Sequence, residues 1–226
     1  MTTNSPDDSG TSSPPELSEI VLNRPHRPVN MVAGTIGHFV EWYDWYTYGL
    51  LAAVFAPQIF PSHSPFASLM AALLTYAIGF VVRPFSGVIV SPLADRYGRR
   101  IVLTLSVSGM ALGSLIIGLT PGYDTIGYAA PILFVVARIL QGISAGSEQQ
   151  SAISFMVEHA PPNRRGLFGS FSNMASGLAT LAATGGAAAI TANFAPDELA
   201  AYGWRIPFIV GGLLGVVGLI LRARAD

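Results

Sequence analysis

The chain has no cysteine. That excludes a disulfide framework, a thiol nucleophile and a zinc–thiolate site. It has no lysine either, so all twelve basic residues are arginine. Charge of either sign is scarce. Asp, Glu, Lys and Arg together make up 11% of 226 residues, against about 25% in ordinary soluble domains. A water-soluble globule of this size could not cover its surface with so few charges. The formal net charge of −1 leaves no basic footprint for nucleic acid. The four histidines, His26, His38, His63 and His159, have no His-x-x-x-His or comparable ligand spacing. These absences exclude a typical cytosolic enzyme, a nucleic-acid binder and a metal centre built on histidine or cysteine. An intramembrane enzyme also lacks support, because no Ser/His/Asp constellation is present.

What remains is apolar. Hydrophobic residues make up 51% of the chain, and the mean hydropathy is +0.50. Residues 1–28 differ from the rest. They are rich in Ser, Thr, Pro and Asp and are expected to form a disordered cytoplasmic tail. Residues 29–226 are expected to form one all-α transmembrane bundle. Six stretches approach the roughly 20 residues needed to cross a bilayer. They run at about 31–56, 67–92, 101–120, 129–157, 166–192 and 205–222. They are too long, and too poor in polar alternation, for barrel strands.

The arginines orient these spans. Arg24 and Arg27 precede the first. Arg96, Arg99 and Arg100 separate the second and third, Arg164 and Arg165 the fourth and fifth, and Arg222 and Arg224 follow the sixth. The alternate loops hold only Arg205. An excess of nine to one places the tail, both termini and the even loops in the cytoplasm. The expected location is the plasma (inner) membrane, crossed several times.

Some charges lie within the spans. Glu41 and Asp44 sit in GHFVEWYDWYTYG, roughly 15 and 20 Å from the cytoplasmic end of a core about 30 Å thick. Arg138, on the oppositely directed fourth span, falls roughly 10–15 Å from the external end. An ionised group at such depth costs several kcal/mol, on the order of the buried-ion penalty, unless it is paired or hydrated. Arg138 is therefore expected to face Glu41 and Asp44. Gly34, His38, Glu41, Asp44 and Tyr48 recur on one helical face. Arg138, Gln141, Ala145, Glu148 and Gln149 do the same on the fourth span. A second expected pair joins Arg83 to Glu148. Such pairs either hold a bundle together or line an aqueous proton or substrate site. The aromatics Trp42, Tyr43, Trp45, Tyr46 and Tyr48 admit two readings as well, cavity lining or packing. Tyr43, Tyr48 and Arg83 are the candidates for a substrate cavity. His38 is read as a hydrogen-bonded interior histidine. On the fifth span, Ser172, Ser176, Thr180 and Thr184 are spaced by four, as are Ala175, Ala179 and Ala183. That is a small-residue packing pattern.

Several segments carry a family resemblance. SPLADRYGRR, between the second and third spans, resembles motif A of the major facilitator superfamily. Leu93, Ala94, Asp95, Arg96, Gly98, Arg99 and Arg100 match, with Ser91 in place of the leading glycine. RILQG resembles motif B through Arg138, Gln141 and Gly142. EHAPPNRRG is similar to the family's junction between helices 4 and 5, supplying Glu158, Pro161, Arg165 and Gly166. EWYDWYTYG and GWRIPF resemble the metabolite:H⁺ symporter branch, which includes proline/betaine, dicarboxylate, 2-oxoglutarate, citrate and shikimate carriers. Gly146-Ser147-Glu148 stands where that branch often has Gly-Gly-Glu.

The resemblance implies a proton-coupled carrier of a small organic solute, with no cofactor beyond the coupling ion H⁺. It implies a 12-helix fold of two bundles, of which this chain is the N-terminal six-helix half. Asp44 or Glu41 would carry the proton beside Arg138, Gln141 and Glu148. Asp95, Arg96, Gly98, Arg99, Arg100, Glu158 and Arg165 would form a cytoplasmic gate. The partners implied are the solute, the lipid bilayer, and either a missing C-terminal half or a second copy. The alternative is a truncated, non-transporting fragment or a half-carrier that needs a second bundle.

Overall fold

The computed structural model describes the backbone of residues 28–97, 99–158 and 165–225. Residues 1–27 of the expected tail and Gly98 lie outside the described residues, as do the side chains of Asp95, Arg99, Arg100, Glu148, Glu158 and Arg165, whereas Pro28 already opens a helix. Among the described residues every regular element is helical. Six helices are long: α1 (Pro28–Ile59), α2 (Pro65–Tyr97), α3 (Arg99–Leu119), α4 (Ala129–Glu158), α5 (Arg165–Asn193) and α6 (Arg205–Ala225). Short turns at Tyr123–Ile126 and Pro196–Glu198, and a wide turn at Leu199–Gly203, lie between α3 and α4 and between α5 and α6.

Among the described residues, four stretches are long and apolar enough to cross a membrane: Pro65–Val88, Ala129–Gly146, Gly169–Asn193 and Pro196–Ile220. Thr104–Leu119 is a shorter apolar helix. The middle of α1 carries His38, Glu41 and Asp44, which lower its hydropathy. The outer faces of the bundle are apolar. Val88, Leu181, Phe66 and Leu74 are all exposed. A soluble protein rarely displays so many large apolar side chains, whereas acyl chains would accept them.

Helix α1 is the centre of the bundle. It packs on α5 most extensively, then on α6 and α2, and also touches α3 and α4. The remaining close pairs are α2 with α4, α3 with α6 and α3 with α4. Small residues set these approaches. A Cβ built at Gly113 would lie 2.5 Å from Cγ of Gln141, and one at Gly215 would lie 2.7 Å from Cβ of Ala111. Gly142 faces the backbone of Gly79, so α4 and α2 cross with nothing between them. Close backbone approach of this kind is how helices associate in lipid, where apolar burial supplies no driving force.

The half of the bundle toward Ile59 is an aromatic core. Phe55, Phe134, Trp204 and Phe208 pack around Tyr48, with ring centroids 4.8–6.3 Å apart. Buried indole and amide groups at this end find partners. Trp204 Nε1 donates to Gln58 Oε1 (3.3 Å) and to the Ala200 carbonyl (3.0 Å). Arg205 stacks over Trp204 and donates to the Thr120 carbonyl at 3.3 Å. The last turn of α1 and the start of α6 are thus tied together, and Arg205 ties both to the end of α3. On the other side of this core, halfway along α1, the packing turns polar.

Candidate functional site

Two acids one helical turn apart on α1 each meet an arginine from a different helix. Arg138 Nη1 of α4 donates to Asp44 Oδ2 at 2.9 Å. Arg83 Nη2 of α2 lies 3.0 Å from Glu41 Oε1. Asp44, Glu41 and Arg138 are essentially fully buried, and the Arg83 side chain is 14% exposed. Arg138 therefore faces the α1 acids as expected, and it selects Asp44. Arg83 meets Glu41, and the expected Arg83–Glu148 pair falls on a side chain outside the described residues. The α2–α4 crossing sets the height of both arginines. Gly79 and Gly142 touch, so Arg83, one turn beyond Gly79, and Arg138, one turn before Gly142, both reach α1 near Trp45.

Trp45 links the two pairs. Its ring lies 4.4 Å from the Arg83 guanidinium carbon and 5.1 Å from that of Arg138. Arg138 also sits 3.8 Å over the Tyr48 ring. Desolvated contacts of this type contribute about 2 kcal/mol or somewhat less each. They let a guanidinium spread its charge over ring faces where water is absent.

The carboxylate of Asp44 has a third partner. Ser114 Oγ, on α3, donates to Asp44 Oδ1 at 2.5 Å. Gln141 Nε2 donates in turn to Ser114 Oγ at 3.2 Å. Both Asp44 oxygens are thus engaged, one by α4 and one by α3. Arg138 Nε and Nη2 and Gln141 Oε1 are buried without a hydrogen-bond partner among the described residues. Sequence reasoning had named Gln141 but missed Ser114.

His38 extends the cluster toward α5. Trp42 Nε1 donates to His38 Nε2 at 3.1 Å, and Ser176 Oγ lies 3.0 Å from the same nitrogen. An indole N–H is only a donor, so Nε2 carries a lone pair. The hydrogen-bond network therefore assigns a neutral imidazole with its proton on Nδ1, which lies 3.9 Å from Glu41 Oε2. With His38 neutral, Glu41, Asp44, Arg83 and Arg138 sum to zero charge.

The aromatics of α1 take part in helix packing. Tyr43, Trp45 and Tyr48 are buried. Tyr43 Oη donates to the Pro207 carbonyl at 3.2 Å and Tyr48 Oη to the Ala72 carbonyl at 3.0 Å. Both hydroxyls are committed to helix packing in this conformation. Trp42 and Tyr46 are only half-buried, their rings 5.7 Å apart. On α2, Arg96 is exposed and lies over the Tyr97 ring at 5.5 Å. Gly98 and the side chains of Asp95, Arg99, Arg100, Glu148, Glu158 and Arg165 fall outside the described residues.

Comparison with known proteins gives this arrangement a family. The family described as "Sugar (and other) transporter" matches residues 29–225. The proline/betaine transporter of Escherichia coli (strain K12) is 35% identical over 192 residues, covering 85% of this chain and 38% of that protein. The inner membrane metabolite transport protein YhjE of the same strain is 36% identical over 203 residues, covering 87% of this chain and 46% of that protein. The chain thus spans less than half the length of these two relatives. Among solved structures, the xylose transporter XylE from E. coli in a partially occluded inward open conformation matches with a TM-score of 0.73. That match has 20% identity and covers 88% of this chain and 50% of that one, a likeness of fold. An all-helical membrane bundle, with a family match over nearly all of its described length, shows that the chain belongs to the sugar (and other) transporter family, a family of membrane transporters and not of enzymes.

Proposed function

We propose that this chain forms one bundle of a proton-coupled secondary carrier for a small organic solute. The observation that carries the reading is the buried Asp44–Arg138 pair, closed by Ser114, in the middle of the central helix. Ionisable groups at that depth are expensive, and packing alone does not require them. Small residues already supply the packing here.

The chemistry follows from environment. A carboxylate beside a guanidinium stays ionised, whereas one left alone in a desolvated site holds a proton. A rocking movement between two bundles that separates Asp44 from Arg138 on one side of the membrane, and rejoins them on the other, would carry one proton per cycle. Glu41 with Arg83 is a second pair that the same movement could open. Arg138, once released, has unused N–H donors for the carboxylate of a solute. An organic acid or a zwitterion such as proline or betaine fits that chemistry, and the curated relatives include a proline/betaine transporter.

The arginine distribution supports an orientation with both termini in the cytoplasm and the protein in the plasma (inner) membrane. A second bundle, whether from further chain, a separate chain or a second copy, would close the solute path. Asp95, Arg96, Gly98, Arg99, Arg100, Glu158 and Arg165 would act together at the cytoplasmic end. As a latch that opens every cycle, their pairs should be hydrated and individually weak.

The test is Asp44→Asn in the assembled carrier. Accumulation driven by an inward proton gradient should disappear, while exchange of solute down its own gradient continues. Accumulation equal to that of the wild type would remove Asp44 from the proton role.

A further inference from the structure

Ser114 hydrogen-bonds the Asp44 carboxylate, and its surroundings suit it to both protonation states of that group. Its Oγ lies 2.5 Å from Asp44 Oδ1 and 3.2 Å from the carbonyl oxygen of Met110, one turn back on α3. The hydroxyl has one hydrogen and two places to send it. Its lone pairs face Gln141 Nε2 at 3.2 Å, which fixes the oxygen from the α4 side. Ser114 and Gln141 are fully buried, and Gly113 beside Ser114 leaves the space into which Gln141 reaches.

We propose that Ser114 is the proton-accommodating partner of Asp44. When Asp44 is ionised, Ser114 donates to Oδ1, as in this structure. When a proton from water adds to Oδ1, a new O–H bond forms there and one hydronium becomes water. The new O–H then donates to Ser114 Oγ. The serine hydrogen turns about the Cβ–Oγ bond onto the Met110 carbonyl, and no covalent bond in Ser114 is made or broken. Each state keeps a full set of hydrogen bonds with no helix movement, which matters because an unsatisfied buried polar group costs about 1–3 kcal/mol. Arg138 can still donate to Oδ2 when the proton sits on Oδ1, but the ionic attraction is then gone, and an arginine has no acceptor for the new O–H. Ser114 is therefore a positioning residue for the proton on Asp44, with Gln141 holding it in place.

The inference rests on Asp44 as the proton site, and infrared difference spectroscopy separates the two claims. The chain is reconstituted in lipid nanodiscs, and spectra at acidic and neutral pH are subtracted. A carboxylic C=O band that disappears in Asp44→Asn belongs to Asp44. In Ser114→Ala that band should move to higher wavenumber, because the acid has lost its hydrogen-bond partner. Ser114→Thr should restore its position. Ser114→Cys, nearly the same size and a weaker hydrogen bonder, should move it part of the way, and carries the test if the alanine variant does not fold. A band that vanishes in Asp44→Asn but stays in place in Ser114→Ala and Ser114→Cys overturns the role of Ser114 alone. A spectrum unchanged by Asp44→Asn overturns the proton role of Asp44, and the Ser114 inference with it.

Discussion

Arg138→Gln is expected to be the most damaging single substitution among the buried charges. The variant leaves Asp44 enclosed by protein, with the Ser114 hydroxyl, among the described residues, to answer its charge. Breaking a buried pair from one side costs about 3–5 kcal/mol, because the surviving ion keeps its desolvation penalty and loses its partner. The stacking of the guanidinium over Tyr48 and Trp45 is lost in the same step. Asp44→Asn should also destabilise the bundle, by leaving Arg138 without its acceptor. The double variant Asp44→Asn/Arg138→Gln removes both charges and should be more stable than Arg138→Gln alone. Thermal unfolding in detergent, followed by circular dichroism across the four-protein cycle, measures the coupling. A coupling on the order of 0.5–3 kcal/mol is expected for groups in direct contact. An Arg138→Gln variant as stable as the wild type would mean that Asp44 is already neutral in the resting protein.

The same pair shows how far the sequence could be read. Asp44 and Arg138 lie on spans that run in opposite directions, and each has a countable distance from a membrane surface. Depth alone was enough to bring them together. Depth could not decide between two acids one turn apart. Glu41 falls within a turn of the same level, and depth alone does not bring Arg83 to it. The choice is made by Trp45, whose ring accepts both guanidinium groups, and by the Gly79–Gly142 contact that brings α2 and α4 to α1 at one height. Both are tertiary facts about helices that are not neighbours in sequence.

His38 and Ser176 were each legible on their own helices, one as an interior histidine and the other within a small-residue series. Their contact depends on α1 packing against α5, which periodicity within either helix does not encode. Ser114 left the weakest trace. It is one small polar residue in an apolar run, with no charge and no polar period. The usable signal was Gly109 and Gly113, four apart, marking the face of α3 that comes close to another helix. Motif B, by contrast, now has a physical reading residue by residue. Arg138 pairs with Asp44, Gln141 orients Ser114, and Gly142 meets Gly79.

That last contact leads to a second large effect. Gly142→Val is expected to disrupt the bundle more than any substitution at an open glycine. A Cβ at residue 142 would lie 3.2 Å from the Cα of Gly79 and closer still to its carbonyl oxygen. Backbone atoms cannot turn away as a flexible side chain can, so α2 and α4 must separate. Gly79 has no slack to give, since a Cβ there would be 2.5 Å from Cη2 of Trp45 and 3.2 Å from the carbonyl oxygen of Arg138. Overpacking of a tight interior costs typically about 1–3 kcal/mol, and valine adds two methyl groups beyond the Cβ, so the upper end of that range or more is expected. The intrinsic helix preference runs the other way, since replacing glycine in a helix gains roughly 0.5–1 kcal/mol. The control is Gly185→Ala on α5, where nothing lies within 4 Å. It should be neutral or stabilising by that amount. Unfolding temperatures of the two variants should therefore move in opposite directions from the wild type. In Gly142→Val the separation of α2 from α4 should also draw Arg83 and Arg138 away from Trp45 and change its fluorescence. A Gly142→Val protein with wild-type stability and unaltered Trp45 emission would mean that the α2–α4 crossing does not set the height at which the two arginines meet α1.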